Sequence, residues 1–349
     1  MSHVASPGDP ARCGEDRPGP AAGAALPPVD EAVLTDLCDR LFTRLGRSDQ
    51  RARGLKYVRG LLITDGRRSF RNVAAHLGGG PTLEQRLHHF VSCSTWDWMP
   101  VRRTLAAYMA ELAPPRAWVL RSLLIPKEGE NTVGVHQRHV PALGRMLNAQ
   151  YSVGLWAASC ELPYPVNWRL LLPPAWLADA VRRAQAAIPD EQVAETPAEC
   201  AVGTYLDLCA PEDAGLPVRP VVCAVDDADA ATAVRRLRAA GVPFMVGVDR
   251  RPATRAGIGD LLLFRPRTNP DSGPVRTWLT NMRHSGPAEL TSLAGLVDTV
   301  DETFRQVTDP LGMTDFAGRT FNGWNRHATL ASAAHCVSML SARALPDRV

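Results

Sequence analysis

The stretch Trp118-Val119-Leu120-Arg121-Ser122-Leu123-Leu124-Ile125 decides how the rest of the chain is read. Its apolar side chains predict a buried strand, and a permanent positive charge stands in the middle of it. Pro126-Lys127-Glu128-Gly129 follows, then 133–138, 143–150 and a last apolar run over 151–158. The block reads as three strands joined by short loops at the head of an α/β core. Arg121 is the residue against which every functional reading has to be judged.

Composition sets the outer limits. A chain of 349 residues, 45% hydrophobic and with a formal net charge of +3, has the proportions of an ordinary soluble globular protein. Its length predicts two domains or one large α/β domain with additions. No run approaches the roughly 18 apolar residues of a membrane span, so no membrane partner is expected. Residues 1–28 are rich in Pro, Gly, Ala and Asp and lack the apolar core and positive flank of a signal peptide. A disordered tail and a cytoplasmic location are expected. The eight cysteines are scattered, without Cys-x-x-Cys pairs or zinc-like spacing, as in reduced cytosolic chains. His88-His89 and the pair His136 and His139 have no third ligand nearby, so no metal site is predicted from them. Phosphate-loop, dinucleotide-loop, nucleophile-elbow and His-Glu-x-x-His signatures are all missing.

Ahead of the central block, Val33, Leu34, Leu37, Leu41 and Leu45 recur at helical spacing, and further helices are expected over 51–63, 69–77, 83–91 and 101–112. Residues 29–113 therefore read as a small all-α domain closed by Pro114-Pro115. Ten basic residues lie between 40 and 71, against only Asp49 and Asp65. Such a concentration suits a phosphate backbone, and makes Arg51, Arg53, Lys56, Arg59, Arg67, Arg68 and Arg71 the candidate DNA contacts. A solvated helix face is the competing reading.

Beyond the block the expected elements are a strand at 168–172, a helix at 176–187 and a short helix around 205–209. A fully apolar strand at 220–225, a helix at 228–240 and a strand at 242–248 form a β-α-β unit with a right-handed crossover. An apolar run at 261–264, with a hairpin as an open option, and helices at 290–307 and 323–340 complete the chain. Three strands, a helix, a strand, a helix, a strand and a last helix is the ribonuclease H-like order. Residues 116–342 are thus expected to form an α/β, ribonuclease H-like mixed sheet with flanking helices.

Several short motifs occur in sequence. They are Lys56-Tyr57-Val58-Arg59-Gly60-Leu61-Leu62, Arg67-Arg68-Ser69, Gln85-Arg86-Leu87 and Trp96-Asp97, then Pro126-Lys127-x-Gly129, Val133-Gly134-Val135, Gly144-Arg145 and Asn148-x-Gln150. Leu172-Pro173-x-x-Trp176 and Arg319-Thr320-Phe321-x-Gly323-Trp324-x-Arg326-His327 follow. Through this ordered set, residues 50–340 resemble bacterial insertion-sequence transposases of the DDE endonuclease superfamily, of the insertion-sequence-701 type. The resemblance implies phosphoryl transfer on double-stranded DNA, action as a homodimer, and three carboxylates holding two divalent metals, Mg2+ or Mn2+. It puts the first carboxylate position at Arg121, the second at Ala224 and the third at Asp301. Thr308 stands where a basic residue is usual.

These departures matter physically. A guanidinium cannot shed its charge to make room for two cations, and alanine offers no ligand. Asp226 shares a strand face with Ala224 but lies roughly 6–7 Å further along; Glu302 adjoins Asp301. Either is a candidate substitute, with Asp227 and Asp229 also near. The expectation is a catalytically inactive transposase-like protein that needs no cofactor, with Arg121 and Asp301 forming a buried ion pair in place of the metals. An active transposase using Mg2+ or Mn2+ for cleavage and strand transfer is one alternative. A protein-interaction module without DNA binding is the other.

Overall fold

The computed structural model describes residues 26–140, 144–209, 215–225, 229–248, 260–266 and 276–344. Nearly all of the expected tail, residues 1–25, lies outside them. The helices α1 (Glu31–Phe42), α2 (Ser48–Ile63), α3 (Phe70–His76), α4 (Pro81–His88) and α5 (Trp98–Leu112) come first. Asp30, Ser69 and Asp97 each accept from a first-turn amide and so start α1, α3 and α5 where a short polar side chain precedes an apolar periodic run.

The sheet begins with β1 (Ala117–Pro126), β2 (His136–Val140), β3 (Arg145–Ala158) and β4 (Tyr164–Leu171). The two expected segments 143–150 and 151–158 are one continuous strand, β3, entered from Gly144 at φ 60°. It is long enough to pair with β1 along one edge and with both β2 and β4 along the other. A Cβ at Gly154 would meet the Trp168 ring at 2.6 Å, so glycine is what lets β3 and β4 pack there.

Two short helices, α6 (Pro174–Ala178) and α7 (Ala180–Gln185), replace the single helix expected over 176–187. Asp179 divides them: in extended conformation, its carboxylate takes the amides of Val181 and Arg182 and restarts the helix. Next comes α8 (Pro197–Cys209), much longer than the short helix expected around 205–209. Its start is a capping box in which Thr196 and Glu199 exchange backbone-to-side-chain bonds of 2.9 and 3.2 Å.

The β-α-β unit is present as β5 (Val221–Ala224), α9 (Ala230–Ala239) and β6 (Phe244–Val248), with β5 parallel to both β1 and β6. Then β7 (Leu262–Phe264) and β8 (Thr277–Thr280) add antiparallel strands at the far edge. The eight-stranded order is β2-β3-β1-β5-β6-β8-β7, with β4 beside β3. This mixed sheet with flanking helices agrees with the ribonuclease H-like expectation, and β1 pairs antiparallel with β3 on one side and parallel with β5 on the other.

Two helices finish the chain, α10 (Pro287–Thr303) and α11 (Phe321–Ala344). Between them a π-helical turn, Phe304–Thr308, widens the end of α10. Thr308 is carried into the core, where its hydroxyl meets His335 Nδ1 at 3.0 Å. α11 is buried on nearly every side, and the apolar core runs without a break from α1–α5 through α11 to the sheet.

Much of the motif set seen in the sequence serves this packing. Arg326 donates to the carbonyls of Trp96 and Val91 and lies over the Trp96 ring. His327 Nε2 donates to the Gly312 carbonyl at 2.9 Å, leaving Nδ1 to accept the Tyr57 hydroxyl at 3.0 Å. Lys127 fastens the end of β1 to the carbonyls of Thr314 and Phe316 at 3.0 and 2.8 Å. Burial, then repulsion from Arg67, lowers its ammonium to about 8.

Candidate functional site

Arg121 sits midway along β1, directly opposite Gly154 of β3 and Ala224 of β5. Because side chains alternate along a strand, it faces the layer occupied by α10. There its Nε donates to Asp301 Oδ1 at 2.5 Å and its terminal nitrogen to Asp301 Oδ2 at 2.9 Å. This is the two-pronged guanidinium–carboxylate geometry, the strongest form of such a pair. The three positions assigned by resemblance thus converge: two are register partners on adjacent parallel strands, and the third reaches them from the helix above. The pair itself differs from the expected buried one. Its side chains keep 25% and 32% of their exposure.

Two further charged groups belong to this site and were not anticipated. Asp298 lies one helical turn before Asp301, a spacing visible in the sequence as Asp-x-x-Asp on one helix face. Although the residue is exposed overall, desolvation, and then repulsion from Asp301, raises its carboxyl above the usual range. Arg276 and Arg121 oppose that rise. Arg276, immediately before β8, lies against the backbone of Gly247 and beside the Trp278 ring. No spacing in the sequence places Arg276 here; only the pairing of β6 with β8 does.

The site is therefore a balance of two arginines and two aspartates. Both Asp301 oxygens are engaged by Arg121, and Ala224 contributes a methyl group, so the described residues do not fit a pair of divalent cations. Among the described residues, no group of three or more His, Cys, Asp or Glu side chains is placed to hold a metal ion. Glu302, the candidate substitute beside Asp301, bonds instead to Arg305 and Gln306 on its own helix. Asp229 caps α9 through the amides of Ala231 and Thr232. Asp226 and Asp227 lie outside the described residues.

The candidate DNA contacts divide in the structure. Arg53 pairs with Asp49 at 3.1 Å and Arg59 with Glu31 at 2.9 Å. Arg68 is half-buried and donates to the carbonyls of Leu61 and Gly66, while its amide binds Asp315. Arg51 reaches the Leu45 carbonyl at 2.7 Å. Lys56, Arg67 and Arg71 are exposed, with no ion-pair partner among the described residues.

The family described as DDE superfamily endonuclease matches residues 40–313. This chain belongs to that family. The match takes in the basic segment on α2 and α3 together with Arg121, Ala224 and Asp301. Active DDE superfamily endonucleases generally use divalent metals, whereas here an arginine is seated on Asp301. No curated protein matches the chain. Among the described residues no helix is long and apolar enough to cross a membrane.

Proposed function

We propose that this member of the DDE superfamily is a transposase-like protein that no longer cuts DNA and whose remaining role is binding, to double-stranded DNA through its basic helical segment, residues 29–113. The observation that carries the reading is the engagement of both Asp301 oxygens by Arg121, with Ala224 as the strand partner. The same chain spends its other motif residues on packing: Tyr57, Trp96, Lys127, Arg326 and His327 all anchor helices or loops to the core. Scaffold and chemistry are thus separable here, and only the chemistry has been replaced. A nicking and strand-transfer assay with Mg2+ or Mn2+ is expected to show no metal-dependent product. Cleavage that vanishes in Asp301→Ala would overturn the reading.

The ion pairs of Arg53 and Arg59 favour a second reading, a protein-interaction module without DNA binding, because they neutralise part of the basic face. A salt titration of duplex binding separates the two. Affinity falling steeply with salt marks phosphate contacts; no binding even at low salt marks the interaction module.

A further inference from the structure

Two cavities share a wall at Arg103, an exposed residue of α5. The first, of about 450 Å³, opens between α5, β4 and the start of α11, and Trp98, Phe321, Asn167, Gln192 and Arg102 are among its lining residues. The second, of about 470 Å³, is a groove between α1 and α5 lined by Arg40, Arg44, Arg103, Thr104 and Glu111.

The charge in the first cavity is unusual. Arg102 is 1% exposed, and all its N–H groups donate to uncharged oxygens: Thr329 Oγ1, Asn167 Oδ1, the Trp168 carbonyl, and the carbonyl and Oδ1 of Asn325. Among the described residues no carboxylate touches it. Its hydrogen bonds are all made to neutral oxygens, and the charges that oppose its own are Asp207, which lines the cavity and is shared with Arg169, and Asp97. Arg169, on the same wall, is neutralised by Glu195 and Asp207 at 2.8 and 2.5 Å. Among the described residues, Arg103 reaches only the Asp207 carbonyl, at 3.4 Å.

The rest of the lining specifies the kind of anion. Trp98 and Phe321 meet edge to face at 6.1 Å and give the cavity an aromatic side, while Gln192 supplies an amide group; the amides of Asn167 and Asn325 are already engaged with Arg102, Thr204 and Phe321. A flat heterocycle with hydrogen-bonding edges and an attached negative charge matches that lining, and the volume is in the range of small-ligand sites. The groove continues the pattern. Arg40 is held by Asp36 and lies over Tyr108, but among the described residues Arg44 reaches only Thr104 Oγ1, at 3.4 Å, and makes no ion pair.

We propose that this face of α5 is a nucleotide seat, with a base in the first cavity beside Trp98 and Phe321, its phosphate toward Arg103, and adjoining backbone phosphates along the Arg44 groove. The inference rests on the nucleic-acid-binding half of the function proposed above and is independent of the state of the Arg121 site. It moves the principal contact surface from α2 and α3 to α5.

The test is photo-crosslinking of the full chain to a single-stranded oligonucleotide carrying 5-iodouracil, with the modified peptides mapped by mass spectrometry. Cross-links on Trp98, Met99 or Phe321 are expected. In parallel anisotropy titrations at low salt, Arg103→Glu is expected to weaken binding roughly ten-fold or more, by loss of a phosphate contact and reversal of its charge. Arg71→Glu, on α3, is expected to weaken it less. Competition by deoxyadenosine monophosphate identifies a seat for free nucleotides, and competition by oligonucleotide alone identifies one for a strand; both support the seat. Cross-links confined to α2 and α3, with Arg71→Glu the more damaging variant, would overturn the seat while leaving DNA binding standing. Failure to bind any nucleic acid would overturn both.

Discussion

Arg121 and Asp301, 180 positions apart in the chain, are joined by two hydrogen bonds from one guanidinium to one carboxylate, 2.5 and 2.9 Å long. The bond ties the central strand to α10, the helix that otherwise rests on the sheet through Leu293, Leu296, Val297 and Val300. Loss of one partner leaves a partly buried charge without its mate. Asp301→Asn is expected to lower stability by about 1–2 kcal/mol, the range for a charge-assisted bond discounted for partial exposure. Urea unfolding checks this. The double variant Arg121→Met/Asp301→Leu should recover part of the loss, because neither charge is then stranded. An Asp301→Asn midpoint equal to wild type would show that the pair contributes nothing.

The register that sets Arg121 beside Ala224 allows the opposite experiment. Arg121→Asp combined with Ala224→Asp would gather three carboxylates at one crossing of strand and helix. With a chelator present the double variant should be less stable than wild type, since like charges are brought together. Added Mn2+ should raise its melting temperature and leave that of the wild type unchanged, because an ion that binds only the folded state stabilises it by mass action. A double variant indifferent to Mn2+ would mean that the backbone no longer places these positions within reach of a common ion.

How much of this could be read from the sequence depended on where the determining contacts lie. β1, the β-α-β unit and the helices up to 112 were legible, because the strands are apolar runs and the helices bury periodic apolar faces, with α1, α3, α5 and α9 also starting at recognisable caps. The pairing of Arg121 with Asp301 was legible because a charge of the wrong sign stood in a strand that resemblance had already placed beside the third position. Other features were carried by weaker local signals. Asp179 interrupts one expected helix, and Thr196 with Glu199 starts another earlier than its apolar pattern suggests. β7 falls on the apolar run at 261–264, where a hairpin was an open option; the place of Arg276 was illegible, since it is set by the pairing of β6 with β8, segments with no shared period. Arg102 reads locally as one more arginine; its burial follows from α5 meeting β4 and α11.

Arg102 leads to a prediction about those three elements. Its single planar group satisfies acceptors on β4 and α11 from a position on α5. A lysine retains the charge but has one nitrogen and three donors, and so cannot span them. Arg102→Lys and Arg102→Met are each expected to cost about 3–5 kcal/mol, by stranding buried polar groups. Denaturant unfolding of both, or loss of soluble expression, checks this. Wild-type stability in Arg102→Lys would show that the network relaxes around a single ammonium.

Two buried histidines set the response to acid. Burial lowers His327 and His335 from 6.5 to about 4, and both are fixed with Nε2–H donating to a carbonyl, Gly312 or Pro163, and Nδ1 facing a hydroxyl. The folded state therefore holds them neutral while the unfolded chain protonates near its ordinary value. As pH falls from about 6.5 toward 4 the unfolded state takes up protons first, so stability is lost across that window, at most on the order of 3 kcal/mol per histidine by pH 4. Glutamine can both donate and accept along similar directions without titrating. The His327→Gln/His335→Gln variant should therefore show a flatter stability profile between pH 6.5 and 4 than wild type, whatever its stability at neutral pH. If the slopes in that window are equal, the loss comes from carboxylates such as Asp36 and Asp49, whose pKa values hydrogen bonds and nearby arginines hold low, and the histidines are not the acid-sensitive element.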